Sequence, residues 1–189
     1  MDLSNENMIH VKKDGIEYLQ FRRLLEFKNL VHAYTLGVYG IDFNGKAEKS
    51  VTEHSYNMLC DVLEINRENV VKPNQTHTDC IKNVDNNYQK TSKEYLENVD
   101  GLLTSKPDTD LVLSFADCTP ILLYDPVKNV IGNIHSGWRG TAQKIGQKAV
   151  QKMISDYGSK PKDIIACIGP CIGKCHFEVD EDVKNIFEQ

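Results

Sequence analysis

The stretch from residue 130 to residue 158 reads VIGNIHSGWRGTAQKIGQKAVQKMISDYG. It joins a short apolar run to a helical pattern of apolar residues through a glycine-rich turn. Residues 130–134 form a short apolar run of the kind that a buried strand has. After the turn, apolar side chains recur at about the 3.6-residue period of a helix, at Ala142, Ile145, Ala149, Val150, Met153, Ile154 and Tyr157. Gly158 follows directly and is typical of the position just after a helix ends. The stretch therefore predicts a strand, a turn and a helix with one buried face.

Further short apolar runs extend this pattern along the chain. Residues 111–116, 121–124 and 164–168 each read as a strand. Residues 8–11 and 16–21 flank an Asp-Gly pair, which is typical of a β-hairpin. We find no internal repeat and no interdomain linker. The chain therefore predicts a single α+β (α/β) domain of mixed β-sheets flanked by helices.

The composition is ordinary for a globular protein, with 40% hydrophobic and 26% charged residues. The net charge of −5 argues against a general nucleic-acid binder, because such proteins present a basic surface. No apolar run approaches the ~20 residues of a membrane helix, and the first residues lack the pattern of a signal peptide. A chain of 189 residues can bury a core without disulfides, so its six cysteines indicate free thiols. We expect a cytoplasmic protein with no nucleic-acid or membrane partner.

Three residues form a candidate metal site. His77, Cys118 and His135 each lie at or near the end of an apolar, strand-like run. Nitrogen and sulfur ligands from three elements can hold a zinc ion with its fourth position open, as a catalytic zinc requires. Their long spacing matches no local metal motif, so spacing alone also allows structural histidines and a small buried thiol. Asp117 precedes Cys118, and we expect it to hydrogen-bond a ligating imidazole rather than bind the metal.

The turn at residues 136–140 is a candidate anion site. A glycine-rich turn between a strand and a helix exposes backbone N–H groups at the positive end of the helix dipole. Arg139 adds a guanidinium that can bind phosphate through two nitrogens. We predict that Arg139, Gly140 and Thr141 bind phosphate beside His135. The alternative is an ordinary tight turn with a solvated arginine.

Several segments, taken in order, match one known family. They are Gln75-Thr76-His77, Asp100-Gly101-Leu102-Leu103-Thr104, Ala116-Asp117-Cys118-Thr119-Pro120, His135-Ser136-Gly137-Trp138-Arg139-Gly140 and Ile168-Gly169-Pro170-Cys171-Ile172-Gly173. From about residue 30 onward, the chain resembles the multicopper polyphenol oxidase (laccase-like) family. This family is also described as the YfiH-type purine nucleoside phosphorylase family, or the laccase domain-containing protein family.

The resemblance implies a YfiH-like fold and a zinc-dependent purine nucleoside phosphorylase. The expected substrates are phosphate and a purine nucleoside, namely adenosine, inosine, guanosine or methylthioadenosine, and members are also associated with adenosine deaminase activity. The resemblance implies a catalytic His-Cys-His metal site, so His77, Cys118 and His135 are the expected ligands and catalytic residues. We expect zinc rather than copper, and a monomer or a small homo-oligomer.

The sequence also allows three other functions. A copper polyphenol oxidase needs several coppers and more histidines than the six that this chain has. A metal-dependent or Cys118-His135 hydrolase, including one that edits cell-wall precursors, would use the same residues in another way. A non-catalytic metal-binding module would bind the ion and convert no substrate.

The chain departs from the family pattern in two places. The pattern usually continues well beyond Val179, so we expect one domain over residues 1–189 that lacks the C-terminal segment of its relatives. Many relatives carry Thr-Arg and Gly-Gly near residues 34–40, where this chain has no arginine. Three cysteines in or near the glycine-rich loop receive no assigned role: Cys167, Cys171 and Cys175.

Overall fold

The computed structural model of the protein describes residues 1–43, 48–85, 88 and 93–188, and the chain divides into two compact units, Met1–Asn69 and Val70–Gln189. The first unit contains β1 (Met8–Lys13), β2 (Ile16–Phe21), β3 (Tyr34–Thr35) and α1 (Lys49–Leu63). The second unit contains β4 (Val70–Val71), β5 (Ile81–Asn83), β6 (Gly101–Thr104), β7 (Asp110–Leu111), β8 (Thr119–Asp125), β9 (Val130–Ser136), α2 (Trp138–Ala142), α3 (Ile145–Tyr157), β10 (Ile165–Ile168) and α4 (Glu181–Phe187). None of the helices in these ranges has the length and apolar character that crossing a bilayer requires. The single domain expected from the sequence stays a prediction.

The first unit is built on the hairpin that the sequence predicts. Strands β1 and β2 pair antiparallel up to Lys13 and Ile16, and β3 joins the other edge of β2. The two turn residues, Asp14 and Gly15, have φ values of 49° and 82°. Positive φ at both positions is what a two-residue hairpin turn with the right twist requires. The hairpin prediction is therefore confirmed.

His32 is a buried imidazole in the first unit, with 9% of its surface exposed. Its Nε2 accepts a hydrogen bond from the backbone N–H of Phe21 at 2.8 Å. Its Nδ1 has no hydrogen-bond partner among the described residues. Burial lowers the pKa of His32 from an ordinary 6.5 to about 4, so the folded protein keeps this ring neutral where the unfolded chain binds a proton.

Acidification should therefore destabilise the protein through His32. Its contribution is complete above the unfolded pKa and is lost as the pH falls toward the folded pKa, because only the unfolded chain takes up the proton in that window. The loss amounts to roughly 3 kcal/mol, at about 1.4 kcal/mol per pKa unit. Urea denaturation at about pH 7.5 and about pH 4.5 measures it. In His32→Gln, whose amide oxygen can accept the Phe21 hydrogen bond, the loss should be smaller, and an equal loss would contradict the assignment.

The second unit carries a five-stranded mixed sheet in the order β10-β8-β9-β6-β5. The β5–β6 pair is parallel, and the other three pairs are antiparallel. Strands β4 and β7 form a separate two-stranded parallel ladder. Mixed sheets together with flanking helices confirm the α+β class.

Both faces of this sheet are covered by apolar side chains. Leu102 and Leu103 point to opposite faces, as neighbours in a strand do, and each is fully buried in a different cluster. One cluster combines strand residues with the inner face of α3: Leu103, Leu123, Val130, Ile134, Ile145, Ala149 and Met153. At Gly132 a Cβ atom would lie 2.6 Å from Cδ2 of Leu103, so this close packing needs a glycine. The sheet is therefore a rigid support for the residues at its edges.

The helix predicted after the turn is interrupted. The short helix α2 ends at Ala142, and α3 begins after Lys144, which has a left-handed φ of 61°. Gly158 ends α3 as predicted, with a φ of 68° and its N–H bonded to the carbonyl oxygen of Ile154 at 3.1 Å. Ala142 therefore belongs to α2 and not to the buried stripe of α3.

Candidate functional site

The ends of three strands meet at one edge of the five-stranded sheet. Antiparallel pairing places the starts of β6 and β8 beside the end of β9. Cys118 directly precedes β8, and His135 lies near the end of β9. The backbone N–H of His135 donates to the carbonyl oxygen of Asp100 at 2.7 Å, which extends the β6–β9 pairing by one residue. The register of the sheet therefore sets Asp100, Cys118 and His135 side by side.

His77 reaches the same place from the loop before β5. Its φ is +64°, which is uncommon for a residue with a Cβ atom. The Asp100 carboxylate accepts the backbone N–H groups of Thr76, His77 and Thr78 at 3.3, 3.1 and 2.7 Å. It also accepts the Thr78 hydroxyl at 2.8 Å. Asp100 therefore holds the backbone conformation that aims His77 at the cluster.

His77, Cys118 and His135 fit a metal ion. Their three ligand atoms lie within 4.8 Å of one another, close enough for small side-chain rotations to bring them onto one ion. Two nitrogens and one sulfur form a donor set that zinc takes. His135 is buried and Cys118 is half-buried, whereas His77 is exposed. The exposed side leaves room for a further ligand, as a catalytic metal site requires.

Asp100 also decides which nitrogen of His135 faces the cluster. Its Oδ1 lies 2.7 Å from Nδ1 of His135, and both side chains are buried. Burial by itself raises the pKa of Asp100, but hydrogen bonds from His135 and Thr78 outweigh this effect and bring the pKa to about 2. The ionised carboxylate accepts a hydrogen bond from Nδ1–H of His135, which leaves Nε2 available to bind a metal.

This contact is the one that the sequence assigned to Asp117. Asp117 lies in the bend before β8 with an exposed side chain, and its backbone oxygen accepts the N–H of Ile172 at 3.0 Å. The assignment assumed the alternating faces of a strand, but β8 begins only at Thr119. The carboxylate that bonds the imidazole is Asp100, which corrects the expectation for Asp117.

Cys118 is a half-buried thiol with a perturbed acidity. Burial, followed by the negative charges of Asp117, Asp100 and Cys171, raises the pKa of the Cys118 thiol. A divalent cation at the cluster would favour the thiolate instead. The thiolate of Cys118 is therefore disfavoured in the metal-free protein and favoured when a cation is bound.

Gly137 brings the start of α2 against the cluster. It is the buried residue that precedes the helix, in an extended conformation. A Cβ atom at this position would lie 2.9 Å from Cδ2 of His77 and 3.2 Å from Sγ of Cys118. Glycine is therefore needed for this close approach, and α2 begins directly beside the candidate metal ligands.

Arg139 is exposed on this first turn. Its guanidinium carbon lies 4.1 Å from the centre of the Trp138 ring, which restricts the arginine by stacking. The N–H groups of residues 138–140 precede the hydrogen bond from Thr141 to Gly137, so they are not used within α2. The turn therefore combines one exposed guanidinium with backbone donors that α2 itself does not use.

Gly140 and Thr141 serve the structure of the turn. Gly140 is buried, and a Cβ atom there would lie 2.9 Å from the backbone oxygen of Thr78. The N–H and the hydroxyl of Thr141 both donate to the carbonyl oxygen of Gly137, at 2.8 and 2.9 Å. Both donors of Thr141 have partners within the turn, and its assignment to phosphate stays a prediction.

The three cysteines without an assigned role lie in different surroundings. Cys167 is buried in β10, and Cys171 and Cys175 are exposed in the loop that follows. Sγ of Cys175 lies 3.0 Å from Nδ1 of His176. The cluster of His77, Cys118 and His135 does not include any of them.

Sequence comparison places the chain among named relatives. The family described as "Multi-copper polyphenol oxidoreductase laccase" matches residues 39–189. A protein named purine nucleoside phosphorylase from Bacteroides thetaiotaomicron is 32% identical over 96% of this chain and 72% of its own length. The protein named purine nucleoside phosphorylase YlmD from Bacillus subtilis is 34% identical over 77% of this chain. This chain spans about half (53%) of the length of that Bacillus relative.

Solved structures show the same likeness. The Bacillus licheniformis hypothetical protein YfiH has a TM-score of 0.76 and 27% identity, over 98% of this chain and 70% of that one. YlmD from Geobacillus stearothermophilus has a TM-score of 0.68 and 28% identity, over 78% of this chain and 56% of that one. These findings confirm the YfiH-like fold and the resemblance seen in the motifs. This chain therefore belongs to the multi-copper polyphenol oxidoreductase laccase family.

Proposed function

We propose that this protein is a zinc-dependent purine nucleoside phosphorylase. The observation that carries the proposal is the cluster of His77, Cys118 and His135, which has one exposed ligand and lies beside the start of α2. Relatives that carry the name purine nucleoside phosphorylase support the reaction class. All six cysteines are free thiols, which supports a cytoplasmic location. We propose a monomer or a small homo-oligomer that takes purine nucleoside and phosphate as substrates.

Each group at the site would have a separate role in phosphorolysis. Asp100 fixes the ring of His135 and the backbone of His77, so both imidazoles are preorganised. Zinc would supply a Lewis acid at the exposed side of the cluster. Arg139 and the N–H groups of residues 138–140 hold phosphate beside it. One phosphate oxygen then bonds to the anomeric carbon of the ribose while the glycosidic bond breaks and the purine leaves.

Zinc suits this donor set better than a set of coppers does. In the described ranges, which contain all six histidines of the chain, only two histidines belong to a cluster of potential ligands. A multicopper oxidase needs ligands for several ions, so a polyphenol oxidase is the weaker proposal. One thiolate with two imidazoles and an open position is a composition that catalytic zinc uses.

A hydrolase is the second candidate because of one specific observation. Asp100, His135 and Cys118 lie in the order in which an acid, a base and a thiol nucleophile occur in cysteine hydrolases. Two facts weigh against this function: the pKa of the Cys118 thiol is raised, and the exposed His77 has no place in such a triad. Adenosine deamination would use the same open side of the cluster, with a water in place of phosphate.

A nucleoside panel on metal-quantified protein separates these activities. Adenosine, inosine, guanosine and methylthioadenosine are incubated with and without phosphate, and free base, ribose 1-phosphate and ammonia are followed. The proposal expects base and sugar phosphate in equal amounts, and only when phosphate is present. Equal base release without phosphate would make the enzyme a hydrolase, and ammonia without base would make it a deaminase.

Arg139→Ala should raise the KM for phosphate while leaving the metal bound. Loss of a hydrogen-bonded charge costs about 1.5–3 kcal/mol, which corresponds to roughly a 10- to 100-fold change. Initial rates over a phosphate series, together with metal analysis, measure both effects. Lys152→Ala is the matched control, because it removes a cation that pairs with Asp156 on α3. An unchanged KM in Arg139→Ala would remove Arg139 from the phosphate site.

A further inference from the structure

The pairing between β10 and β8 continues beyond the end of β10. Within the sheet, Ile168 is the partner of Ile121. The N–H of Gly169 then donates to the carbonyl oxygen of Pro120 at 2.9 Å, and the N–H of Ile172 donates to that of Asp117 at 3.0 Å. These two bonded pairs are three residues apart, whereas bonded pairs in a regular antiparallel ladder recur at every second residue. The ladder is therefore interrupted after β10, but the two hydrogen bonds still hold the segments beside each other.

Cys171 and Cys118 lie on these two segments, between the two hydrogen bonds. Side chains of directly opposed residues in an antiparallel pair share one face, with Cβ atoms about 4.5–5.5 Å apart. A disulfide needs about 3.5–4.5 Å between Cβ atoms, so bond formation requires the two segments to move closer at this point. The segments pack closely here, since a Cβ atom on Gly169 would lie 2.8 Å from the side-chain Cγ of Pro120. The negative charge of Cys171 contributes to the raised pKa of Cys118, and a charge has this effect only at short range.

We propose that Cys118 and Cys171 form a reversible disulfide, and that this pair is a site of oxidative modification by low-molecular-weight disulfides. Cys171 is exposed and Cys118 is half-buried. The exposed thiol is thus the point of entry, and the protected one resolves the intermediate. The same sulfur of Cys118 cannot serve as a thiolate ligand and take part in a disulfide, so oxidation and metal binding exclude each other.

The chemistry is two successive thiol–disulfide exchanges. The thiolate of Cys171 attacks one sulfur of the small disulfide, which forms a mixed disulfide and releases one small thiol. The thiolate of Cys118 then attacks Sγ of Cys171, which forms the intramolecular bond and releases the second small thiol. The protein loses two electrons and two protons, and the small disulfide gains them as two thiols. A reducing thiol in excess reverses both steps.

Only the consequence for metal binding rests on the proposed function. The bond itself rests on the two hydrogen bonds that flank the cysteines, so its test does not require the enzyme to be active. Bound metal should protect Cys118, because the thiolate that would resolve the mixed disulfide is then coordinated. We therefore expect slower bond formation in the presence of excess zinc.

The test uses the purified full chain, oxidised with glutathione disulfide with and without excess zinc. Peptide mapping under non-reducing conditions identifies the linked peptides, and a chromogenic chelator follows released zinc. We expect a Cys118–Cys171 peptide, release of about one zinc per bond formed, and slowing by added zinc. Cys171→Ser should abolish the bond yet still bind zinc, and Cys175→Ser, the matched control in the same loop, should still form it.

Two results would overturn the proposal. One is that Cys118 remains a free thiol or is joined to a cysteine other than Cys171. The other is that the mixed disulfide with glutathione is the stable end product on Cys171. If the Cys118–Cys171 peptide forms but no zinc is released from the protein, the disulfide stands and the proposed metal site fails instead.

Discussion

Asp100→Asn is expected to lower the free energy of unfolding by about 3–5 kcal/mol, the cost of breaking a buried charged contact. The Asp100 carboxylate accepts three consecutive backbone N–H groups, the Thr78 hydroxyl and the ring of His135. An amide would turn an NH₂ group toward some of these donors and leave them unsatisfied. Urea denaturation measures the loss directly.

The matched control is Asp117→Asn, which makes the same chemical change on an exposed side chain. It should alter stability by no more than about 0.5 kcal/mol. Asp100→Asn should also weaken zinc binding by about 10- to 100-fold, because a partner that orients a ligating histidine is lost. Equal stability of the two variants would contradict the central position of Asp100.

Cys118→Ala is expected to remove most of the zinc from the protein. Loss of the only sulfur ligand leaves two imidazoles, and the affinity should fall by more than the roughly 100-fold that a supporting residue outside the ligands contributes. Metal analysis after dialysis, together with competition against a chelator, gives the content and the affinity. The fold should persist, because the Cys118 side chain is only half-buried beside the sheet.

Cys80→Ala is the matched control for this experiment. Cys80 is also partly buried and lies in the same segment of the chain as His77. Its thiol is outside the cluster, so the variant should keep its zinc. Full zinc retention in Cys118→Ala would exclude Cys118 as a ligand.

Local signals predicted the hairpin and the long helix, but the strand predicted over residues 111–116 is wrong, because β7 ends at Leu111 and β8 begins only at Thr119. The Asp14-Gly15 turn specifies its hairpin by backbone preference alone, and the apolar stripe of α3 follows from helical periodicity. The break at Lys144 gave no such signal, because a left-handed residue other than glycine depends on its tertiary surroundings. Apolar periodicity therefore could not locate the boundary between α2 and α3.

The site was predictable in its chemistry but not in its supporting contacts. Residue type and predicted position at strand ends singled out His77, Cys118 and His135. The sheet register places Cys118 near His135, and Asp100 holds the loop that brings His77 to them. The role of Asp100 depends on the pairing of β6 with β9, which links residues far apart in sequence. Its only local signal was a carboxylate directly before the apolar run of β6. Adjacency to Cys118 favoured Asp117 instead, because neighbours in sequence are visible without a structure.

Stepwise zinc reconstitution of metal-depleted protein tests the central claim most directly. Ribose 1-phosphate formed from inosine and phosphate is measured after each addition of zinc, with Cys118→Ala assayed in parallel. We predict that activity rises in proportion to bound zinc, reaches its plateau at about one ion per chain, and stays absent in Cys118→Ala. Metal-depleted protein that forms ribose 1-phosphate as fast as the zinc-loaded protein would contradict a catalytic metal site at His77, Cys118 and His135.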